Sequence, residues 1–423
     1  MSLLRDRNFL LLFVGQGVSR FGDGLYTAAT AWLAWSLTKD PAAVALVSVA
    51  AFAPAFVATF VGASYADRYD RRKLMIATDL ARVAVLAAAL ALMSLGLLDL
   101  PLLVAGTALL ALIGAPFAPA RNAIVPQIVP DDRLHQANGL LQVAFRAAFF
   151  VGPLMLAPLL TYGSLQLALV VNGLTFVASA GAVAAIRVTH PARTGGRVGL
   201  WSDLAAGLGA VRAAPDVLVV IVTFVLALAL TSGFLTVGLV AVVGKGGQYG
   251  LLLGVSGVAE VVGALLIAGL RIRRPALAAV LAWALLGIFR APLGAVTSGA
   301  VAALLLVATG LASALTDIPL IALVQQRIPE RHLAKALGLW EAGVAGALAV
   351  SPFVASTAIT LAGVEAAFLL SGAALVVLAA TAALTLARVS ARHPLRRVNG
   401  AAGEEAGQGE VAHKSGDGLQ ARL

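Results

Sequence analysis

Charged side chains stand inside several long apolar stretches of this chain, and each of them needs a reason. Moving an ionised group to the middle of a bilayer costs roughly 2.5–3.5 kcal/mol on insertion scales. Arg20 and Asp23 are three residues apart, so they share one face of a helix. Asp79 and Arg82 repeat that spacing. Over the deeper positions of the apolar stretches there are three bases and four acids: Arg20, Arg82, Arg146, Asp23, Asp79, Glu260 and Glu341.

This imbalance of charge predicts a proton site. Arginine keeps its proton in practice, so if every base is paired at least one carboxylate is left over. Removal from water disfavours the charged form of a carboxyl group, and such a group can bind and release a proton. We interpret Glu260 or Asp23 as this proton-coupling residue, with Glu341 as the third candidate. Arg20 or Arg146 would then tune that group or bind an anionic substrate.

The two short-range pairs also admit a purely structural interpretation, in which they fix helix packing. We favour it for Asp79 and Arg82, because they lie close to the basic loop between the second and third apolar stretches. For Glu260 we favour a functional role, because no base stands near it in the sequence.

The basic loop itself runs from Gly62 to Lys73 and has two acids and four bases in its last seven residues. A positively charged turn would explain the bases alone. It does not explain the order of Gly62, Asp67, Arg68, Arg71 and Arg72. This order resembles G-x-x-x-x-D-R-x-x-R-R, the loop motif between the second and third helices of the major facilitator superfamily.

The resemblance implies that the loop is a latch on the cytoplasmic side of a transporter. In the family the glycine allows close packing of helices, the aspartate caps a helix of the other half, and the arginines hold that aspartate. A carboxylate is stabilised at a helix N-terminus by free N–H groups and by the helix dipole. Carried over to this chain, Asp67 would meet the start of the helix that begins near Ala336.

The composition requires a membrane protein. Of 423 residues, 60% are hydrophobic and only 12% are charged, about half the charged fraction of soluble domains. An apolar stretch of about twenty residues crosses ~30 Å of hydrocarbon as a helix. We therefore predict an all-α integral membrane protein with twelve transmembrane helices: Phe9–Leu37, Val44–Ala66, Leu74–Leu97, Leu102–Ala120, Gly139–Leu160, Leu165–Ile186, Asp216–Val243, Tyr249–Leu270, Pro275–Leu293, Ala300–Val324, Leu337–Leu361 and Ala366–Ala387.

The connections between these helices alternate in charge. One side carries most of the bases, among them Arg7, Arg121, Arg187, Arg274 and Arg327, whereas the other side offers Lys39, Lys245 and an interfacial Arg290. The positive-inside rule then places both termini in the cytoplasm.

An internal repeat divides the chain. A shift of 199 residues aligns Gln127, Pro130, Gly139 and Pro153 with Gln326, Pro329, Gly338 and Pro352. We predict two pseudo-symmetric six-helix bundles, residues 1–186 and 216–387, as described for this transporter superfamily. The cytoplasmic linker 187–215 has an amphipathic piece at Trp201–Val211, and residues 388–423 form a disordered cytoplasmic tail.

Further motifs resemble the macrolide-efflux and enterobactin-exporter branch of the superfamily, also called transmembrane secretion effectors. They are Arg7-Asn8-Phe9, Phe21-Gly22-Asp23 and Pro119-Ala120-Arg121. Gly152-Pro153 is similar to the exporter motif G-x-x-x-G-P-x-x-G-G and would be a helix hinge. Its flanking glycines are replaced by Ala148, Leu156 and Ala157, which weakens the link to antiport and leaves an ordinary kink as an equal alternative.

The resemblance implies a secondary exporter of a hydrophobic or amphipathic small molecule, such as a drug, a siderophore or a secondary metabolite, with protons as the coupling ion. A lipid or lysophospholipid translocator of the same fold is the alternative, and a membrane receptor or enzyme is a distant one. We expect a monomer in the bacterial inner or plasma membrane.

No Walker loop, cysteine or metal-ligand arrangement of histidines occurs in the sequence, so we expect no cofactor, no metal and no enzymatic activity. Nucleic acid is not expected as a partner, since the net charge of +10 follows from the loop bias.

Overall fold

The computed structural model describes residues 3–66, 70–162, 164–187, 200–243, 246–268, 270 and 272–392. Within these ranges the chain is built from helices. We number them α1 (Arg7–Thr38), α2 (Pro41–Ala66), α3 (Arg71–Ser94), α4 (Leu100–Gly114), α5 (Phe117–Ile128), α6 (Leu134–Val151), α7 (Leu156–Tyr162), α8 (Leu165–Ala184), α9 (Leu200–Arg212), α10 (Pro215–Gly233), α11 (Leu239–Val243), α12 (Gly246–Ala268), α13 (Pro275–Arg290), α14 (Gly299–Arg327), α15 (Glu330–Ala362) and α16 (Val364–Arg392).

The predicted membrane architecture is confirmed. In the described part of the chain, nine helical stretches are long and apolar enough to cross a bilayer. They are α3, α4 with α5, α8, α10 with α11, α12, α13, α14, α15 and α16. The helices α1, α2 and α6 with α7 complete the twelve. A π-helical turn at Phe234–Gly238 joins α10 to α11, and α9 corresponds to the amphipathic piece of the linker.

Aspartates fix the starts of three of these helices. Asp6 accepts a hydrogen bond from the Phe9 N–H at 2.9 Å at the start of α1. Asp70 and Asp99 do the same for α3 and α4. A carboxylate at this position satisfies a free N–H group and interacts favourably with the helix dipole.

Several helix ends differ from the predicted bounds, and three of them bear on the site. The fourth span continues through α5 to Ile128 rather than ending at Ala120, because prolines inside a membrane helix do not end it when neighbours satisfy the backbone. The helix α15 begins at Glu330, so Ala336 is in its second turn and offers no free N–H group to a capping carboxylate. The helix α16 continues to Arg392, where arginines suit the negative end of the helix dipole.

The helix contacts repeat between the two parts of the chain. The contacts of α1 with α8, α3 with α8 and α2 with α4 correspond to those of α10 with α16, α13 with α16 and α12 with α14. Between the parts, α2 packs on α15, and α12 packs on α6, α7 and the turn that joins them. This is the pattern of contacts that a duplicated six-helix unit produces.

The buried apolar contact between the two parts lies at one end of the bundle. We call the end at which α1 begins the basic end, because it carries Arg7, Arg72, Arg274 and Arg327. At the opposite end, one hydrophobic cluster joins residues of both parts, including Leu33, Leu156, Val240, Tyr249 and Ile359. At the basic end, the described residues form separate clusters, one around Phe9 and Ile124 and one around Phe224 and Trp340.

Close backbone contact between α1 and α6 leads to a first testable prediction. A Cβ on Gly24 would overlap the carbonyl group of Phe149, with its Cα at 3.2 Å, whereas a Cβ on Gly17 of the same helix would meet nothing within 4 Å. Backbone atoms cannot move aside as a side chain does, and overpacking typically costs about 1–3 kcal/mol. We expect Gly24→Ala to lower the apparent melting temperature in detergent, and Gly17→Ala to leave it equal or slightly higher. Equal melting temperatures for the two variants would contradict the packing.

Candidate functional site

Two ion pairs lie near each other in the first six membrane spans, one on α1 and one on α3. On α1, Arg20 Nη1 is 3.5 Å from Asp23 Oδ2, and these side chains are 37% and 25% exposed. On α3, Arg82 Nη1 is 3.7 Å from Asp79 Oδ1. The two pairs interact electrostatically with each other, chiefly through Asp23 and Arg82. Both predicted pairs are therefore present, and together they form one charged group, which we call the α1–α3 charge cluster.

The inner half of this cluster is closed off from water. Asp79 is fully buried and its two carboxylate oxygens accept no hydrogen bond. The guanidinium of Arg82 lies 5.5 Å from the Phe117 ring centroid and 4.9 Å from that of Phe176. Aromatic faces attract a cation, so Arg82 is stabilised by two rings as well as by the acids.

Arg121 lies within a helix and is half-buried, whereas the sequence predicts it in a basic loop. It stands on α5, where its guanidinium donates two hydrogen bonds to Asn122 Oδ1, at 3.2 and 3.0 Å. The same guanidinium lies 4.6 Å from the Phe145 ring centroid, and its charge repels that of Arg20. The predicted fourth span ends at Ala120, so Arg121 was placed just outside it.

A second polar group lies in the last six helices and centres on Arg290. The sequence suggested an interfacial position, but Arg290 is only 8% exposed. Its Nη1 donates a hydrogen bond to Thr231 Oγ1 at 2.7 Å, and its charge is attracted by that of Glu260. Glu260 therefore has a base nearby, on α13, which the sequence around α12 does not reveal. The count of three bases against four acids is incomplete, because Arg121 and Arg290 were left out of it.

The structure says less about the other two predicted charged residues, Glu341 and Arg146. Glu341 lies on α15 with an exposed side chain. Arg146 lies on α6, but its side chain is outside the described residues. Their roles in proton coupling and in substrate binding stay predictions.

The predicted latch is described only in part. Gly62 belongs to α2, whereas Asp67 and Arg68 fall outside the described residues. Arg71 is the first residue of α3. Arg72 donates hydrogen bonds to the carbonyl oxygens of Val183, at 3.1 Å, and Ala184. It thus holds the last carbonyl groups of α8, which lack partners within their own helix.

The predicted hinge lies at the contact between the two parts of the chain. Regular helix stops at Val151, and Gly152–Met155 form a 3-10 turn before α7. Gly250 and Gly254 of α12 face this turn. A Cβ on Gly250 would lie 2.8 Å from the carbonyl oxygen of Pro153, and one on Gly254 would lie 3.0 Å from the backbone nitrogen of Leu154. Movement at Gly152 and Pro153 stays a prediction.

A comparison with known families decides what kind of protein this is. The family model described as transmembrane secretion effector matches residues 1–408, nearly the whole chain. The chain belongs to this family of the major facilitator superfamily.

Curated relatives of this transmembrane secretion effector are similar over part of their length. Macrolide efflux protein A of Streptococcus pyogenes is 27% identical over 184 residues, which are 43% of this chain and 44% of the relative. Multidrug efflux pump Tap of Mycobacterium tuberculosis is 28% identical over 218 residues, which are 48% of this chain and 50% of the pump. The chain thus spans about half the length of the curated relatives it matches.

Solved structures share the fold of this family member. The nucleoside transporter NupG superposes with a TM-score of 0.69 at 13% identity, covering 89% of this chain and 98% of NupG. A peptide transporter, POT, in complex with sulfate reaches 0.68 at 14% identity, covering 91% and 95%. A bacterial homologue of the lysosomal transporter Spinster, in an inward-facing and unoccupied conformation, reaches 0.66 at 12% identity, covering 90% and 96%.

In this transmembrane secretion effector, apolar contact joins the two parts of the chain at the opposite end. Each part also contains partly or fully buried charged residues. A crevice beside Tyr26 and Val85 has a volume of about 10 Å³, room for one water molecule at most. It is too small for a drug-sized molecule. A larger cavity of about 540 Å³ lies beside α9 and is lined by Ala206, Ala210, Arg327, Pro329 and His332.

Proposed function

We propose that this protein exports a hydrophobic or amphipathic small molecule, a drug, siderophore or secondary metabolite, by alternating access. The observation that carries this proposal is the asymmetry of apolar contact between α1–α8 and α10–α16. One cluster joins both parts at the opposite end, and separate clusters occupy the basic end. Under this proposal the opposite end is the closed side and cargo enters from the basic end.

Charge orients the molecule. The basic end faces the cytoplasm under the positive-inside rule, with both termini, the linker 187–215 and the tail on that side of a bacterial inner or plasma membrane. In the proposed cycle this arrangement would be the state that loads cargo from the cytoplasm. The two six-helix bundles, 1–186 and 216–387, would rock about a site at the midplane.

Cargo class follows from the relatives and from the lining. The names of two relatives assign them macrolide efflux and multidrug efflux. Apolar pockets with a few placed polar groups suit ligands of this kind. Arg20 and Asp23, which are 37% and 25% exposed, would supply such polar groups here.

A proton gradient is the proposed driving force. A carboxylate that is protonated on one side of the cycle and ionised on the other couples the two fluxes. The interior offers Asp23, Asp79, Glu260 and Glu341 for that proton.

Transport into inside-out proteoliposomes tests the function. The purified protein, reconstituted with its basic end outward, should accumulate radiolabelled erythromycin when the lumen is acidic, and a protonophore should abolish the accumulation. Accumulation that ignores the protonophore would refute proton antiport but not efflux. Failure with erythromycin and a panel of amphipathic drugs, together with flipping of a fluorescent lysophospholipid, would replace drug export by lipid translocation.

A further inference from the structure

We propose that Asp79 is the carboxylate that takes up and releases the coupling proton, and that Arg82 is a cation shared between Asp79 and Asp23. This inference rests on the proposed proton antiport. It reverses the sequence interpretation of Asp79 and Arg82 as a structural pair.

The first argument is the state of the Asp79 side chain. A purely structural ion pair is expected to have close, hydrogen-bonded contact between guanidinium and carboxylate. Here the nearest approach of Arg82 Nη1 is 3.7 Å, neither oxygen accepts a hydrogen bond of normal geometry although the Ser179 hydroxyl is nearby, and the side chain is 0% exposed. A buried ionised carboxylate without hydrogen bonds is unfavourable, and protonation removes that penalty.

The second argument is that Arg82 does not depend on Asp79. Its guanidinium is held by the rings of Phe117 and Phe176 and lies against Gly114 of α4. It also interacts with Asp23 of α1. When Asp79 is neutral, Arg82 therefore keeps favourable partners, and the proton can be bound without leaving an uncompensated cation.

The remaining charged and polar groups around Asp79 favour its ionised form, so that Asp79 does not stay protonated throughout the cycle. From α8 the hydroxyl of Ser179 faces Asp79, and neither α8 nor α4 carries a charged residue. From α1 come Arg20 and Asp23, and from α5 comes Arg121, which acts through Arg20. With both acids ionised, this group already has an excess of positive charge. Burial favours uptake of a proton and the excess positive charge favours its release, and a coupling site must do both.

A path for the proton exists on the same side. Asp23 is 25% exposed, and Arg82, whose charge is attracted by both Asp23 and Asp79, is 14% exposed. When Arg82 closes on Asp79, the carboxyl O–H bond breaks and the proton leaves to water along the exposed face of Asp23. When Arg82 returns to Asp23, Asp79 binds a proton again.

Spin-label distances test this assignment without knowledge of the cargo. The chain has no cysteine, so Gln136→Cys on α6 and Gln326→Cys on α14, both exposed and at the basic end, give one specific label pair. In proteoliposomes, we expect the distance distribution of the otherwise native protein to shift between about pH 5 and about pH 9, a range that brackets displaced carboxyl groups. Asp79→Asn should abolish the shift and give one distribution at every pH.

Matched variants separate the possible failures. Asp99→Asn makes the same chemical change at the exposed cap of α4, where asparagine caps equally well, and should keep the native shift. Glu260→Gln should retain the native shift, whereas Asp23→Asn removes the alternate partner of Arg82 and should displace the midpoint of the shift. A native protein without any shift would contradict proton coupling itself. A native shift that survives in Asp79→Asn, or vanishes only in Glu260→Gln, would overturn the assignment to Asp79. If Asp79→Asn does not fold, Asp79→Glu should fold and keep a shift with a displaced midpoint, and an unchanged midpoint would count against the proposal.

Discussion

Arg290→Met should be among the most destabilising single substitutions in the last six helices. Arg290 is buried and bridges α13 to Thr231 of α10 through a 2.7 Å hydrogen bond. Its removal leaves the charge of Glu260 without the base that faces it from α13. Removing one member of a buried charge pair costs roughly 3–5 kcal/mol. Because Glu260 is partly exposed, we expect a loss near the lower end, about 3 kcal/mol.

A double-variant cycle shows whether the lost energy is electrostatic. Glu260→Gln removes the charge that Arg290→Met leaves behind, so the double variant should recover a large part of the lost melting temperature in detergent. Thr231→Val tests the hydrogen bond alone and should cost about 1 kcal/mol. Additive effects of Arg290→Met and Glu260→Gln would show that the two charges do not interact.

The membrane fold could be predicted because one requirement dominates it, the match between apolar helices and the hydrocarbon of the bilayer. Each span must be apolar and about twenty residues long, so the spans follow from composition. The errors lie where helix continues beyond the apolar stretch. Polar residues or prolines suggested helix boundaries near Arg121, Glu330 and Arg392. The helices α5, α15 and α16 extend to or through these residues, because backbone hydrogen bonds must be satisfied next to the membrane.

The site could be predicted only to the level of single helices. Pairs three residues apart, such as Arg20 with Asp23, follow from helix geometry. The partner of Glu260 is Arg290 on another helix, and the rings around Arg82 come from α5 and α8. Contacts of this kind depend on helix packing, which the local sequence does not contain. The role proposed for Asp79 likewise depends on its burial and on its hydrogen-bond geometry, which are tertiary properties.

A disulfide across the closed end should stop transport completely and reversibly. In the 3-10 turn after α6, the Leu154 side chain occupies the position that a Cβ on Gly254 of α12 would take. Replacing both residues with cysteine removes that overlap and brings two thiols together where the two parts of the chain meet. A disulfide needs Cβ atoms ~3.5–4.5 Å apart, and this pair is within that reach. If export requires the opposite end to open, a covalent link at this place must hold the protein in its cargo-loading state.

The double variant Leu154→Cys with Gly254→Cys carries its own control. The chain has no other cysteine, so the reduced form differs from the oxidised form by one bond. We expect erythromycin transport by the reduced form, no transport after oxidation with copper phenanthroline, and recovery on reduction. Erythromycin transport by Leu154→Cys alone should not change when the oxidant is added. The bond must form for the test to count, which a mass shift after alkylation of free thiols establishes. Transport that continues with the bond formed would mean that cargo does not pass between the two parts of the chain, since this contact would then stay shut throughout the cycle.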